Sequence, residues 1–453
     1  MVKLWNGEDV QWRLTLQLDG KAGTLELGDE PRQMLVRLGE KEKLTAEELR
    51  RAAAKAAGQV KSLGGDAALL DAAPAVEALG GEGLAALIQG FELALYRQEN
   101  WKQEKKEDKA PDLWLTGTEG VDAEKILAET GAMDRWVCFA RDLANRPGNK
   151  LTPDMLAKAV TGAVGDLPVE AQVLDENETR ALGMEAFHAV GDSSANPPRL
   201  IVLRYRGGKE GDAPIVLVGK GVCFDSGGYS LKRSMRGMKG DMAGGAAVCG
   251  AILALAENRV PVNVTAVIPA VENRISPASF LPDDVIGSMS GKTIEIGSTD
   301  AEGRLILADA ITYSIQKENA CKVVDIATLT GAIGGMLGGV AAGVMANDDG
   351  FYAELQAAAD RSGEKFWRMP DYPEYKQLIE SPVADLYNSS DGCGAIAAGL
   401  FLGAFAEGTP WIHLDIAGTG HSGKQSQPYQ PKGATGMGVT TLYQLCAGMA
   451  EKA

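Results

Sequence analysis

Histidine is scarce in this chain of 453 residues, which contains only His188, His413 and His421. A zinc site built from imidazole groups in the usual manner is therefore excluded. Basic residues are also in deficit, because 45 Lys and Arg residues face 61 Asp and Glu residues and leave a formal net charge of -16. Nucleic acids and anionic membranes bind clustered positive charge, so we expect neither as a partner.

The six cysteines are scattered and form no Cys-x-x-Cys pair. The opening stretch, MVKLWNGEDVQWRL, lacks the apolar core of a secretory signal peptide. Together these absences predict a cytoplasmic protein with free thiols. The chain also lacks a Gly-x-Ser-x-Gly nucleophile elbow and a Gly-x-x-x-x-Gly-Lys phosphate loop, which disfavours two large enzyme classes.

One uncharged run, residues 326–346, is long enough to resemble a membrane span. Glycines and threonines interrupt this run, and it follows directly from a strand-like segment, CKVVD. We therefore interpret it as buried strand, loop and helix.

The order of helix-like and strand-like segments predicts an α/β protein with two domains. A small N-terminal α/β domain should cover residues 1–118. A run of alternating charges at 97–112 marks its end. A connecting helix should follow at 119–150. Residues 151–453 alternate strands with helices, which predicts a larger catalytic domain with a central mixed, mostly parallel sheet flanked by helices. Sites in such sheets lie at the carboxyl ends of strands.

Charged residues gather where these strands should end. The run VGKGVCFDSGGYSLK follows an apolar strand, MKGDMAGGAA precedes a helix-like segment, and GSTDAEGR follows the strand-like KTIEIG. The candidate site residues in these three runs are Lys220, Asp225, Lys232, Asp241, Asp300, Glu302 and Arg304.

The last three of these residues stand at every second position. If GSTDAEGR is extended, Asp300, Glu302 and Arg304 point into one pocket. Four carboxylates in one pocket repel each other unless cations neutralise them. Two divalent ions about 3.5–4 Å apart could activate a water molecule and polarise a carbonyl or phosphoryl group. Oxygen ligands favour zinc, manganese or magnesium.

The two lysines suit different tasks. Lys220 can join a metal site only as the neutral amine, so its pKa must fall below the reference value of about 10.4. Lys232, kept protonated, is suited to stabilise an oxyanion. Structural alternatives stay open at this point, since Asp241 could cap a helix and Lys220 could be a surface lysine.

Three further residues with reactive or metal-binding side chains have separate expectations. We expect His413 to be a hydrogen-bonded core histidine and Cys223 to be a small packed residue. His421, in the loop beyond a strand, is a candidate substrate contact.

Taken together, five stretches resemble the leucyl aminopeptidase family of two-metal exopeptidases, also called cytosol aminopeptidases. They are VGKGVCFDSGG, MKGDMAGGAAV, STDAEGRLILADA, DIATLTGA and HLDIAGT. Similar wording covers most of the chain from about residue 140 to about residue 442. The resemblance implies a metal-dependent aminopeptidase that removes an N-terminal residue, with apolar residues such as leucine preferred.

The resemblance also implies a role for each matching residue. One metal ion would be bound by Lys220, Asp225, Asp241 and Glu302, and a second by Asp225, Asp300 and Glu302. Manganese or zinc is expected, with magnesium and cobalt as alternatives. Lys232 would steady the gem-diolate, and Arg304 would hold a bicarbonate that serves as general base.

Substrate and assembly follow from the same resemblance. Met238, Leu329 and Gly331 would line the substrate cleft, with Met238 at the floor of the first side-chain pocket. Short peptides are the implied substrates, and the implied assembly is a homohexamer of two stacked trimers.

Two positions depart from the family pattern. Ser298 stands where the family usually has Asn, and Arg233 stands where proline is common. Alternative functions are an aminopeptidase with another preference, such as a Cys-Gly dipeptidase, a DNA-binding member without catalysis, and a two-metal phosphatase or nuclease.

Overall fold

The computed structural model describes residues 1–7, 10–28, 32–104 and 109–450. Its residue contacts divide the chain into Met1–Cys138 with Gly423–Lys432, and Phe139–Ser422 with Gly433–Ala453. The predicted boundaries at residues 118 and 150 stay a prediction. Part of the charged run at 97–112, residues 105–108, lies outside the described residues.

The first unit contains a mixed sheet in the order β1-β6-β5-β2-β4-β3, in which β3 pairs antiparallel with β4 and the other neighbours are parallel. Its strands are β1 (Val2–Leu4), β2 (Trp12–Gln17), β3 (Thr24–Leu27), β4 (Gln33–Arg37), β5 (Ala67–Asp71) and β6 (Asp112–Thr116). Its helices are α1 (Ala46–Ser62), α2 (Ala73–Ala94) and the first part of α3 (Ala123–Asn145).

Helix α1 shows how local sequence sets these elements. Thr45 accepts a hydrogen bond from the backbone of Glu48, and Glu48 accepts one from the backbone of Thr45, so both ends of a capping box are present. The alanines that follow are good helix formers with little side-chain entropy to lose. They bury one face of α1 in the core of this unit.

Gly423–Lys432 belongs to the first unit although it lies late in the sequence. Tyr429 donates its phenolic hydrogen to Glu47, at 2.9 Å from Oε1 and 3.0 Å from Oε2. The guanidinium carbon of Arg50 lies 5.9 Å from the centre of the Tyr429 ring, and Arg50 also binds Glu47. We call Gly423–Lys432 the strap.

The second unit is built on a mixed, mostly parallel sheet, as the sequence predicted. Within the described residues its order is β16-β15-β18-β14-β9-β11-β8-β7, with β10 also paired to β11. The strands are β7 (Val169–Leu174), β8 (Arg199–Arg206), β9 (Ile215–Gly219), β10 (Gly221–Asp225), β11 (Asn263–Asn273), β14 (Lys322–Ala327), β15 (Ala342–Ala346), β16 (Phe366–Arg368) and β18 (Trp411–Asp415).

Helices flank this sheet and bury its apolar strands. They are the remainder of α3, α4 (Pro153–Val164), α5 (Glu176–Ala181), α6 (Glu185–Gly191), α7 (Ala243–Glu257), α8 (Glu302–Gln316), α9 (Gly331–Leu337), α10 (Asp349–Ser362), α11 (Gly394–Gly403) and α12 (Val439–Ala450). Every residue of β9 and β11 is buried, which explains their continuous apolar runs.

Five short strands form two smaller sheets. They are β12 (Val285–Ile286), β13 (Ile294–Glu295), β17 (Leu386–Tyr387), β19 (His421–Ser422) and β20 (Gly433–Ala434). The strand-like run KTIEIG contributes only the short strand Ile294–Glu295, which pairs with β12 and β17 and not with the main sheet.

The two apolar runs form regular elements of the second unit. Residues 326–346 form the end of β14, α9 and β15, which confirms the interpretation as strand, loop and helix. The two strands are buried, but Met336 and Val340 are exposed, so the expectation that the whole run is buried is wrong. Among the described residues, the stretch that is long and apolar enough to span a membrane is Met238–Glu257, and 94% of its most apolar window is buried inside the protein. This stretch therefore serves as the core helix α7 and its lead-in.

Candidate active site

The predicted site residues lie at the carboxyl edge of the main sheet. Lys220 follows β9 directly, Asp225 is the last residue of β10, and Leu329 lies just beyond β14. Because β9, β14 and β18 run parallel, their carboxyl ends meet at this edge. The predicted location at strand ends is confirmed for these residues.

Close packing of glycines sets the position of Lys220. The backbone nitrogen of Lys220 donates to Ile326 O at 3.0 Å, and Gly245 N donates to Lys220 O at 2.8 Å. A Cβ on Gly244 would lie 2.0 Å from Ile326 O, so only glycine lets α7 approach the strand ends this closely. Asp241, just before α7, is thereby held next to Lys220.

The segment with Asp300, Glu302 and Arg304 differs from its prediction. We predicted an extended segment with alternate side chains on one face, but α8 begins at Glu302. Glu302 and Arg304 therefore lie in the first turn of a helix, while Asp300 lies in the turn before it. The reason given for their convergence was wrong, because the helix starts at Glu302, three residues before the apolar run that begins at Leu305.

Two lysines bridge the acids, of which Lys220 is buried and Lys232 is partly exposed. Lys220 Nζ lies 2.9 Å from Asp241 Oδ2 and 2.9 Å from Glu302 Oε1. Lys232 Nζ lies 2.6 Å from Asp225 Oδ2 and 2.5 Å from Asp300 Oδ1. Lys220 is only 2% exposed, so it is not a surface lysine.

Asp241 was also considered as a helix cap, and the structure decides against that role. The residue that caps α7 is Met242, which makes no side-chain capping bond. The carboxylate of Asp241 instead accepts hydrogen bonds from Lys220 and from the Thr328 hydroxyl, the latter at 2.8 Å. Its charge is therefore directed into the site.

The donor set fits divalent cations. One oxygen each from Asp225, Asp300 and Glu302 lie within 4.8 Å of one another, which is the spacing of ligands around an ion. Two buried oxygens, Asp241 Oδ2 and Glu302 Oε1, have only the ion contact with Lys220 and no hydrogen bond to any described group. Buried carboxylate oxygens of this kind require a compensating positive charge.

The pKa values of the clustered acids and of Lys220 reflect the same lack of neutralising positive charge. Burial, reinforced by Asp225, raises the pKa of Glu302 to about 8, and burial raises the pKa of Asp241 to about 6. Burial also raises the pKa of Asp300. Burial alone would lower the pKa of Lys220, but the negative charges of Asp241 and Glu302 raise it. Lys220 is thus an ammonium group unless that negative charge is cancelled.

Polar groups behind the site hold its carboxylates in place. Asp225 Oδ1 accepts hydrogen bonds from Gly227 N at 2.8 Å and from Asn273 Nδ2 at 2.9 Å. Asn273, fully buried, also donates to Thr299 O and so ties Asp225 to the turn before α8. Such supporting bonds fix the orientation of ligands.

Ser298, the departure from the family pattern, is supported by another residue. Its hydroxyl accepts a hydrogen bond from Asp300 N at 3.2 Å. The buried Asn388 accepts from Gly297 N at 2.8 Å and donates to Ser298 O at 2.9 Å. An amide side chain from a distant part of the sequence therefore holds the backbone of this turn.

Arg304 is a buried cation that has no hydrogen-bond or ion-pair partner among the described residues. It is 7% exposed, and neither Nε nor Nη1 makes a hydrogen bond to any described group. Burial lowers the pKa of Arg304 to about 10, while Glu302 and Asp415 act in the opposite direction. A small anion would supply the hydrogen-bond acceptors that this guanidinium lacks.

These residues surround one cavity of about 320 Å³. Every predicted site residue except Arg304 lines it. The lining is formed by Lys220, Asp225, Lys232, Arg236, Gly237, Met238, Gly240, Asp241, Asp300, Glu302, Thr328, Leu329, Thr330, Gly331, Ala417 and His421. The three predicted substrate residues, Met238, Leu329 and Gly331, thus share one cavity with the acids.

Several residues that line or support the cavity carry no signal in the sequence. Arg236 and Thr328 line the cavity, and Asn273 supports Asp225, but none of them stands in a pattern that the sequence makes visible. His421, the candidate substrate contact, lines the cavity. Cys223 is buried, as expected.

His413 agrees with its prediction as a hydrogen-bonded core histidine at one of its two ring nitrogens. It is buried and its Nδ1 lies 2.5 Å from Asp325 Oδ1. Its Nε2, however, makes no hydrogen bond to any described group, so the expected fully bonded core histidine is only half satisfied.

Comparison with known proteins gives matches along most of the chain. Residues 138–443 match the catalytic domain of the cytosol aminopeptidase family, and residues 21–105 match the N-terminal domain of that family. A probable cytosol aminopeptidase of Clostridium perfringens (strain 13 / Type A) is 46% identical over 422 residues, which are 91% of this chain and 85% of the relative. A probable cytosol aminopeptidase of Geotalea uraniireducens (strain Rf4) is 43% identical, over 92% of this chain and 86% of the relative.

Solved structures agree with these matches. The bottromycin maturation enzyme BotP is 31% identical, with a TM-score of 0.89 over 98% of this chain and 100% of that chain. The same enzyme in complex with Mn gives the same identity, TM-score and coverage.

Proposed function

Because the chain belongs to the cytosol aminopeptidase family, we propose that it removes N-terminal residues, apolar ones such as leucine preferred, from short peptides through a water activated by two metal ions. Membership in this family makes the chain a metal-dependent aminopeptidase, a metallo-exopeptidase of the hydrolase class. The five predicted metal ligands all line one cavity, and this observation supports the proposed two-metal reaction.

Those five residues would hold two divalent cations. Lys220, Asp225, Asp241 and Glu302 would bind one of them, and Asp225, Asp300 and Glu302 would bind the other, so Asp225 and Glu302 would bridge. Bound there, manganese or zinc, or alternatively magnesium or cobalt, would lower the pKa of a water molecule and polarise the scissile carbonyl. Oxygen-rich ligation with a single amine is compatible with each of these ions.

Two cations of the protein would serve the reaction itself. Lys232 lies between Asp225 and Asp300. Burial would lower the pKa of Lys232, but those carboxylates raise it, so Lys232 keeps its proton. It would stabilise the negative charge that develops on the carbonyl oxygen of the scissile bond. Arg304, with unpaired donors, would hold a bicarbonate ion as the general base.

The cavity wall would select the N-terminal residue. Met238 is half-buried and begins a short 3₁₀ helix, Met238–Gly240, directly before Asp241. Leu329 and Gly331 follow β14 on the same cavity. Thioether and aliphatic side chains favour apolar substrate residues, which is the basis of the proposed preference for leucine.

The setting of the reaction is also part of the proposal. We expect short peptides as substrates, a homohexamer built from two trimers as the assembly, and the cytoplasm as the location. The net charge of -16 argues against nucleic acid as a partner.

Hydrolysis of leucine-p-nitroanilide tests the proposal. The protein is stripped of metal and titrated with manganese, zinc, cobalt and magnesium, and bound metal is counted by elemental analysis. Glu302→Gln removes a bridging charge, so we expect loss of activity by at least about a hundredfold together with loss of bound metal. Glu374→Gln, at an exposed position far along the chain, is the matched control and should behave as the wild type.

Three results would contradict the proposal or a part of it. Metal-independent hydrolysis would remove the role of the cations, and full activity of Glu302→Gln would remove the bridging role of that carboxylate. Activity only toward Ala, Arg or Cys-Gly substrates would overturn the leucine preference while leaving the aminopeptidase reaction intact.

A further inference from the structure

The loop between β10 and α7 carries an unusual concentration of positive charge for so acidic a protein. Residues 232–239, KRSMRGMK, contain four basic residues and no acid. Two of the four have partners, since Lys232 is paired with Asp225 and Asp300, and Lys239 donates to Asn145 O at 2.5 Å. The remaining two, Arg233 and Arg236, are exposed.

Arg236 combines exposure with a position on the active-site cavity. It lines the cavity, whereas Arg233 does not. Within the part of the chain that the structure describes, Arg236 makes neither a hydrogen bond nor an ion pair. Lys220 and Lys232, the other cationic side chains of the lining, each contact two carboxylates. Arg236 is thus the lining cation whose charge no described carboxylate neutralises.

The backbone next to Arg236 fixes the direction in which the loop leaves it. Gly237 has φ of 94°, in the left-handed region that favours glycine, and the 3₁₀ helix Met238–Gly240 begins immediately afterwards. Met238, in that helix, belongs to the wall proposed to contact the first side chain of the substrate. Arg236 therefore lies two residues before Met238, a wall residue of the proposed side-chain pocket.

The cavity holds four carboxylates, which would bind the two proposed metal ions, and one guanidinium without a described carboxylate partner. A peptide whose amino group enters the proposed metal site carries its C-terminal carboxylate at the opposite end. A chain of two or three residues spans only roughly 7 to 11 Å, because each extended residue adds about 3.3–3.6 Å.

We propose that Arg236 binds a carboxylate of the substrate on the leaving side of the scissile bond, and that the enzyme thereby prefers short peptides with a free or side-chain carboxylate there. This inference rests on the aminopeptidase function proposed above. A guanidinium offers two parallel N–H donors to a carboxylate, which gives direction as well as charge. The carboxylate has two sources, the peptide's C-terminus and an acidic side chain.

A comparison of paired substrates tests the inference on the manganese-loaded enzyme. The first pair is Leu-Gly-Gly and its C-terminal amide, and the second is Leu-Asp-Gly-amide and Leu-Asn-Gly-amide. For the wild type we expect the charged member of at least one pair to have a KM lower by roughly twofold to fivefold, the upper range of a solvent-exposed ion pair, with similar kcat. The pair that shows the difference identifies the source of the carboxylate.

Three variants assign the effect to one side chain. Arg236→Gln should raise the KM of the charged peptide to that of its neutral partner. Arg236→Lys, which keeps the charge without the two-pronged donor, should retain part of the difference. Arg233→Gln removes the same charge from the same loop outside the cavity and should leave the full difference. Added salt should reduce the wild-type preference, because the pair is exposed.

Two outcomes would overturn the inference. One is a wild type that treats charged and neutral peptides alike, and the other is an Arg236→Gln variant that loses activity equally on both. Leucine-p-nitroanilide has no carboxylate, so its hydrolysis reports the aminopeptidase reaction independently. If that substrate and all four peptides stay uncleaved, the proposed function itself has failed.

Discussion

At the scale of single residues, the site depends on neutral side chains that hold charged ones. Thr328 illustrates this, because its hydroxyl donates to Asp241 at 2.8 Å while its carbonyl accepts from Lys220 at 3.1 Å. One residue after β14 therefore contacts two of the proposed ligands. Residues with such contacts contribute to metal affinity without touching a metal.

Thr328→Val should weaken metal binding. Valine keeps the shape and the carbonyl but removes the hydroxyl, so Asp241 loses a hydrogen bond that fixes its orientation. We expect the manganese affinity to fall by roughly tenfold, measured by titration of the metal-free protein. Thr312→Val is the control, since that buried hydroxyl bonds only Ala308 O within α8. An unchanged affinity in Thr328→Val would remove Thr328 from the support of the site.

At the scale of secondary-structure elements, the decisive feature is how closely α7 and α8 approach the strand ends. Gly244 and Gly245 bring α7 against β9 and β14, and Gly303 brings α8 against Lys220. A Cβ on Gly303 would lie 2.6 Å from Lys220 Cε. These glycines let two helix starts and one strand end present their charges to the same cavity.

Gly244→Ala should destabilise the fold and displace Lys220. Its new Cβ would lie 2.0 Å from Ile326 O, a backbone atom that cannot rotate away. We expect the free energy of unfolding to fall by at least about 2 kcal/mol, measured by chemical denaturation. In Gly162→Ala the new Cβ has open space in the exposed part of α4, so stability should stay equal or rise by up to about 1 kcal/mol. Equal stability of the two variants would contradict the packing argument.

Asp309 joins α8 to its neighbours and should make stability depend on pH. It is fully buried and accepts hydrogen bonds from Phe187 N at 2.9 Å and Met289 N at 2.8 Å. Burial raises its pKa from about 3.8 to about 7. The folded protein therefore holds this proton more tightly than the unfolded chain, so the stabilisation is complete below pH 4 and is lost as the pH rises toward 7.

Denaturation of Asp309→Asn and the wild type between pH 4 and pH 8 tests this assignment. The variant cannot titrate at this position, so the wild type should lose stability relative to it with rising pH, at a slope approaching about 1.4 kcal/mol per pH unit. Asp371→Asn, at an exposed position, should keep the wild-type slope. A difference between wild type and Asp309→Asn that is constant with pH would show that Asp309 does not titrate in this range.

The elements also show what the sequence could predict. Apolar runs identified β9, β14 and β18, and parallel order placed Lys220, Asp225 and Leu329 at one edge. The start of α8 at Glu302 was missed because no capping residue marks it, since Ala301 makes no side-chain capping bond. Asn388 and Asn273 were missed because their bonds join segments that lie far apart in the sequence. Arg236 was missed although it stands close to Met238, because the sequence does not show which side chains of this loop border the cavity.

At the scale of the whole molecule, the site concentrates charge that is costly without cations. Burial raises the pKa of Glu302 to about 8 and that of Asp241 to about 6. In the metal-free protein, the stability linked to these protonated acids is therefore present at low pH and lost as the pH rises through about 6 to 8. Metal binding requires the ionised forms and so strengthens over the same range.

Chelation should thus lower stability more at high pH than at low pH. We expect the midpoint of thermal unfolding with and without manganese to differ little at pH 5 and to differ by several degrees at pH 8, where binding adds about 2.7 kcal/mol at a metal concentration of 100 Kd. Differential scanning fluorimetry at both pH values measures this. Glu302→Gln is the control, because the gap should shrink when one bridging charge is absent. A gap that is wider at pH 5 would contradict the assignment of the acids.

The strap has a consequence for how this chain can be cut. Because Gly423–Lys432 clusters with Met1–Cys138, the first unit is discontinuous in sequence and the chain passes between the units three times. A fragment that starts after Cys138 keeps Tyr429 but loses Glu47 and Arg50, the groups that Tyr429 contacts. The strap joins β19 to β20, and β19 begins with His421 of the cavity wall. A chimera that takes its N-terminal unit from a relative must therefore also take that relative's strap, because the two segments form one unit.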